Sequence, residues 1–126
     1  MHTDTFFYGF LKTYPHRVLA LVGETPDTTY RFTALEVKQK NFRFDGVLIP
    51  ESLRDPIWFV EVQFQRRAEF YWDFFTKVAL YLSQERETRP VRLVAIFPQR
   101  SVDVAVPEFY TPQVALGWLR RVYLNE

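Results

Sequence analysis

Between Ile57 and Pro98 the chain reads as an apolar strand, an amphipathic helix and a second apolar strand: "IWFVEVQFQ" at 57–65, "AEFYWDFFTKVALYLSQE" at 68–85 and "VRLVAIFP" at 91–98. This succession restricts the fold more than any other feature. A helix of that length between two strands has the reach of a crossover, so the flanking strands are expected to lie parallel in one sheet. The run at 91–98 is nearly uninterrupted by polar residues, as a strand covered on both faces should be. On the helix, Phe70, Phe74, Val78, Tyr81 and Leu82 fall on one side, and Asp73, Lys77 and Gln84 are assigned to a polar side.

Upstream, "TYRFTALEVK" at 29–38 and "NFRFDGVLI" at 41–49 read as two further strands, the first with a slip of phase near Leu35. Their short connections, including the proline-bracketed loop "PESLRDP" at 50–56, predict an antiparallel meander with the strand at 57–65. Residues 4–22 carry apolar side chains at helical spacing, with Thr3 or Asp4 as candidate cap and Pro15 expected to break the helix near residue 14. Residues 99–110 are assigned an edge strand, and 112–124 a last helix with Pro112 near its start. The expected class is α/β: one domain over 1–126, a mixed sheet with an α-β-β-β-α-β core and helices on both faces.

Composition bounds the function. Apolar residues make up 48% of the 126 and aromatic residues 18%, ample for a core rich in rings. Cysteine is absent, which excludes disulfides and thiolate metal sites and fits a cytoplasmic location. No basic segment followed by an apolar run opens the chain, so no signal peptide is expected, and no apolar run is long enough to cross a membrane. A net charge of +1 neither requires nor excludes a nucleic-acid partner.

Two acids interrupt strands that otherwise read as buried. Asp45 stands in "FRFDGVLIP" and Glu61 in "WFVEVQFQ". By alternation, Phe42, Phe44, Gly46 and Leu48 share one face of their strand, and Arg43, Asp45 and Val47 the other. On the next strand Trp58, Val60, Val62 and Phe64 share one face, and Ile57, Phe59, Glu61 and Gln63 the other. If the strands pair, Asp45 and Glu61 sit side by side on a polar face. Like charges on neighbouring strands repel, and an unpartnered carboxylate is costly to desolvate. Either a cation such as Arg43 or a nearby Lys neutralises the pair, or a divalent metal binds between them. Mg²⁺ takes such oxygen ligands, the Val62 carbonyl could add one more, and Gln63 could orient water or a phosphate oxygen.

Asp45, fifteen intervening residues and then Glu61-Val62-Gln63, after an N-terminal helix and a strand, resemble the PD-(D/E)XK phosphodiesterase superfamily. The stretches "TDTFFYGFLKTYP", "FRFDGVLIP" and "WFVEVQFQRRAEFYWDFF" resemble more closely its Rpn-like group of recombination-promoting nucleases and putative transposases, in a DUF2887-type branch common in cyanobacteria. The resemblance covers most of residues 3–98. It implies a restriction-endonuclease-like fold and a Mg²⁺- or Mn²⁺-dependent DNA endonuclease linked to recombination or transposition. Asp45 and Glu61 would match the acidic metal ligands and, with Gln63, form the catalytic set. Gln63 stands where the superfamily motif has Lys, and Phe44 where the family commonly has Pro. Lys77, Lys38 and Lys40 are candidates to bring the missing positive charge. The alternative is a catalytically inactive nuclease-fold domain that binds DNA or protein.

Arg66, Arg67 and Lys77 are candidate phosphate contacts, since cationic side chains supply most nucleic-acid affinity. Arg86, Arg89, Arg92, Arg100, Arg120 and Arg121 are assigned to solubility or ion pairing. Double-strand cleavage by this reaction class calls for two sites, which favours a homodimer.

Overall fold

The computed structural model describes residues 9–10, 12–33, 36–37 and 42–126. Asp4, Lys38 and Lys40 lie outside these residues, as does the proposed cap of the first helix. Pro15 opens helix α1, Pro15–Leu21, after a helical stretch that ends before Tyr14. The break is where the proline predicts it, since its ring fits the first turn of a helix but not the interior.

Five strands form the main sheet in the order β1-β4-β5-β6-β7: β1 is Tyr30–Thr33, β4 Gly46–Pro50, β5 Ile57–Val62, β6 Val91–Phe97 and β7 Leu119–Tyr123. β1, β4 and β5 form the expected antiparallel meander. Helix α2, Phe70–Glu85, then crosses over to β6, which lies parallel to β5. The chain is therefore a mixed α/β sheet with helices on both faces.

The boundaries differ from the sequence reading in four places. The strand expected at 29–38 is described as β1 and a separate piece β2, Glu36–Val37. The strand expected at 41–49 is likewise β3, Phe42–Arg43, followed by β4. β2 and β3 pair only with each other, in a small second sheet. The chain bends at Phe44 and Asp45, because Phe44 packs its ring into the core and Asp45 bonds to the neighbouring strand. Residues 99–110 contain two short 3₁₀ turns and no strand, with the buried carboxylate of Asp103 between the turns. The last helix, α3, covers only Thr111–Ala115. Gly117, at φ +76°, ends it, and "LRRVY" then joins the sheet as a parallel edge strand beside β6.

Alternation along β5 splits the core in two. Ile57 and Phe59 pack under α2 with Phe70, Phe74, Val78, Leu93 and Phe97. Trp58, Val60 and Val62 pack on the opposite side with Val18 and Leu19 of α1. Both faces of the central strands are covered, so the face that carries Glu61 is not the open polar face expected from alternation. It lies beneath α2. Some rings of this layer meet edge-on or tilted, as Phe70 and Phe97 do at 5.4 Å and Phe44 and Phe59 at 4.8 Å, and others stack, as Phe74 and Phe75 do at 6.4 Å.

Phe74 is fully buried at the centre of the α2 layer. Phe74→Ala should lower unfolding stability by about 3–5 kcal/mol, measured by denaturant titration, with the native far-ultraviolet spectrum retained.

Candidate active site

The β4–β5 ladder pairs Gly46 with Val60, Val47 with Phe59 and Leu48 with Trp58. One further step in that register sets Asp45 against Glu61. Here the regular ladder stops, and the two acids take over its hydrogen bonds. The Val62 amide donates to Asp45 Oδ2 at 2.7 Å, and the Asp45 amide donates to Glu61 Oε2 at 2.8 Å. Each carboxylate thus satisfies an amide of the opposite strand, which would otherwise be costly to bury.

Lys77 reaches the same point from α2. Its ammonium donates to Glu61 Oε1 at 2.5 Å and to the Arg43 carbonyl at 2.8 Å, and it lies 5.4 Å from the centre of the Phe44 ring. Glu61 and Lys77 are each only 8% exposed. Lys77 is therefore not on a polar helix side. At about 100° per residue it falls at the border of the polar side, next to Phe70, a position from which its long side chain reaches beneath the helix. Of the two ways to neutralise the acids, the structure contains a Lys, and it comes from the helix.

Burial and the adjacent Asp45 carboxylate push Glu61 up to about 7, against the opposing pull of Lys77. A carboxyl that titrates near neutrality and touches both an acid and an ammonium group has the electrostatics typical of a reactive site.

The remaining candidates occupy distinct positions. Gln63 follows the end of β5; its amide donates to the Ile96 carbonyl and its side chain to the Gln65 carbonyl at 2.7 Å. The carbonyl of Val62 shares the strand edge of its amide, and so points toward the edge that β4 has left. Arg67 is held by Asp73 at 2.7 Å, and Arg66 by the carbonyls of Ser101 and Asp103. Of the three proposed phosphate contacts, Arg66 and Arg67 are exposed, whereas Lys77 is buried.

Among the described residues no three His, Cys, Asp or Glu side chains gather into a metal cluster. A cation between Asp45 and Glu61 would rest on two carboxylates, a carbonyl and water, a donor set that suits Mg²⁺.

A second buried acid escaped the sequence reading. Asp103 accepts hydrogen bonds from Tyr71 Oη at 2.7 Å, from Tyr123 Oη at 2.5 Å, from Arg121 at 3.3 Å and from the Val104 amide. Burial pushes both phenols up, as does their bond to Asp103. The available signal was the same as for Glu61, a lone acid between valines in "SVDVAV".

Fold and site together define a mixed α/β domain with a buried glutamate, a half-buried aspartate and a buried lysine at one end of its sheet. A family model described as "Protein of unknown function (DUF2887)" matches residues 3–126, and the chain belongs to that family. Neither the curated proteins nor the solved structures gave a match. Among the described residues no helix is long and apolar enough to cross a membrane.

The raised Glu61 sets the pH response of the metal-free protein. Between about 4.5, its ordinary value, and about 7, the folded chain keeps a proton that the unfolded chain releases. Stability should therefore fall as pH rises through that window. Lys77→Met should cost about 3–5 kcal/mol at pH 8, where the buried Glu61 must either keep a charge without its partner or take up a proton, and clearly less at pH 5. Urea titrations in EDTA at the two pH values read this difference. Equal costs at both would show that the ion pair is not what Lys77 supplies.

Proposed function

We propose that the chain is a metal-dependent DNA endonuclease of the PD-(D/E)XK type, in which Asp45 and Glu61 hold Mg²⁺ or Mn²⁺ with the Val62 carbonyl. One observation carries this reading: two carboxylates from neighbouring strands meet at the end of β5, and the ammonium of Lys77 is bonded to one of them. The resemblance in sequence asks for two acids and a Lys. Gln63 occupies the place of the motif Lys, and Lys77 brings the charge from the following helix. When bound, the metal would polarise the phosphodiester and make its water a nucleophile near neutral pH.

The chain's own residues have separable tasks. Lys77 favours the ionised form of Glu61, the form a cation needs. Its positive charge lies beside the place where negative charge would develop on the phosphate. Gln63 can donate a hydrogen bond to a phosphate oxygen or to water, but it carries no charge. Because Glu61 titrates near 7, metal affinity should strengthen as pH rises through neutrality.

A second reading has its own support. Both carboxylates already serve backbone amides, so the acid pair has a structural use without any metal. A nuclease-fold domain that binds DNA or protein without cutting would keep this arrangement.

A plasmid cleavage assay and a thermal shift titration separate the two. The nuclease reading expects Mg²⁺ or Mn²⁺ to raise Tm, as a ligand specific to the folded state must. It also expects nicking or cutting that stops in EDTA, and losses of at least about 100-fold in Asp45→Ala and Lys77→Ala. The reading is sunk if the metals neither shift Tm nor support cleavage. DNA binding that survives Glu61→Ala under those conditions would favour the inactive domain.

A further inference from the structure

We propose that the pocket at the carboxyl end of β7 is a subsite for a backbone phosphate of DNA, with Arg100 and Arg121 as its cationic walls. This rests on the nuclease reading above and assigns a contact which that reading leaves open.

Register places the pocket relative to the acid site. Glu61 is level with Ala95 on β6, and Ala95 is level with Arg121 on β7. Glu61 and Arg121 therefore occupy one row of the sheet, two strands apart. At about 4.8 Å per strand the separation is about 10 Å. That is about three steps of rise along one strand of duplex DNA. Both residues lie on the α2 side, because Ala95 between them belongs to the core layer beneath that helix. The parallel direction of β5, β6 and β7 brings their carboxyl ends to the same edge of the molecule.

The pocket has a volume of about 310 Å³ and wraps around the end of β7: Arg100, Arg121, Tyr123 and Glu126 line it, with Leu124, and Leu21 and Val122 close it from the α1 side. Arg100 is held over the Tyr123 ring at 4.4 Å and presents its fork outward. Glu126 occupies that fork, with Oε2 2.6 Å from Nε and Oε1 2.9 Å from a terminal nitrogen. A fork that grips a carboxylate at two points grips a phosphate equally well. The Arg100–Glu126 pair is exposed on both sides, 69% and 46%, so Glu126 is held weakly and can give way to a stronger anion. Arg121 stays tied to Asp103, and Arg66 is bonded to the carbonyls of Ser101 and Asp103. Arg66, Arg100 and Arg121 thus gather around the side-chain carboxylates of Asp103 and Glu126.

The test measures binding of a fluorescent DNA duplex by anisotropy in EDTA, at several salt concentrations, with the full chain. Arg100→Ala should weaken binding about 3–10-fold and lower the salt slope by about one. Glu126→Gln should tighten binding, because it removes the competing anion. Arg54→Ala, an exposed arginine in the loop at the opposite end of the sheet, should change little. The subsite is overturned if Arg100→Ala and Arg54→Ala behave alike, if Glu126→Gln fails to tighten binding, or if the wild-type chain does not bind duplex at all. Metal-dependent cleavage that persists in any of these cases removes the subsite and leaves the nuclease reading intact. Absence of both binding and cleavage removes both.

Discussion

The bond between Glu61 and Lys77 fixes how β4, β5 and α2 meet. It lies where β4 has left β5, while β5 still pairs with β6. A buried ion pair is a poor source of net stability, since desolvation takes back most of the attraction and apolar side chains of similar size would serve as well. The surrounding core is almost wholly apolar, with Phe44, Phe59 and Phe74 close by. Stability alone therefore does not account for an ammonium and a carboxylate at this point. What the pair does supply is direction. Lys77 also bonds the Arg43 carbonyl, so one side chain ties helix, central strand and bend together.

The contrast with Asp103 sharpens this. Asp103 is equally buried, yet its partners are two phenols, an arginine and its neighbour's amide, which satisfy both oxygens. That network anchors the loop after β6 to α2 and β7. Glu61 instead faces a second carboxylate, and this repulsion adds to its burial and lifts it to about 7. Two buried acids in one small domain thus differ in kind: one is fully solvated by protein groups, and the other is held in an environment that resists its charge.

Much of this was legible in the sequence. The crossover from β5 through α2 to β6 followed from two apolar runs and the helix between them. The sides of β5 followed from alternation, which placed Glu61 with Ile57 and Phe59. The tail was not legible, because "LRRVY" has too few apolar residues to declare a strand, and only pairing with β6 makes it one. The burial of Lys77 was not legible, because its angle on the helix puts it between Phe70 and Gln84, at the border of the two sides, where charge alone argues for the polar one. The reciprocal bonds between the acids and opposing amides could not be read at all, since they depend on where β4 stops. The family match bears out the likeness to DUF2887.

The position of the acids follows from the layering. α1 and α2 cover the two faces of β5 and β6, so the middle of the sheet has no room for a polar group with access to a ligand. Only the strand ends remain, where the cover thins and loops begin. In open α/β sheets ligands collect beyond the carboxyl ends of the parallel strands for this reason. Here the bend at Phe44 and Asp45 brings the residue that precedes an antiparallel strand to that same end. The antiparallel part of the sheet thereby contributes one carboxylate and the parallel part the other, and the crossover helix between β5 and β6 supplies the cation.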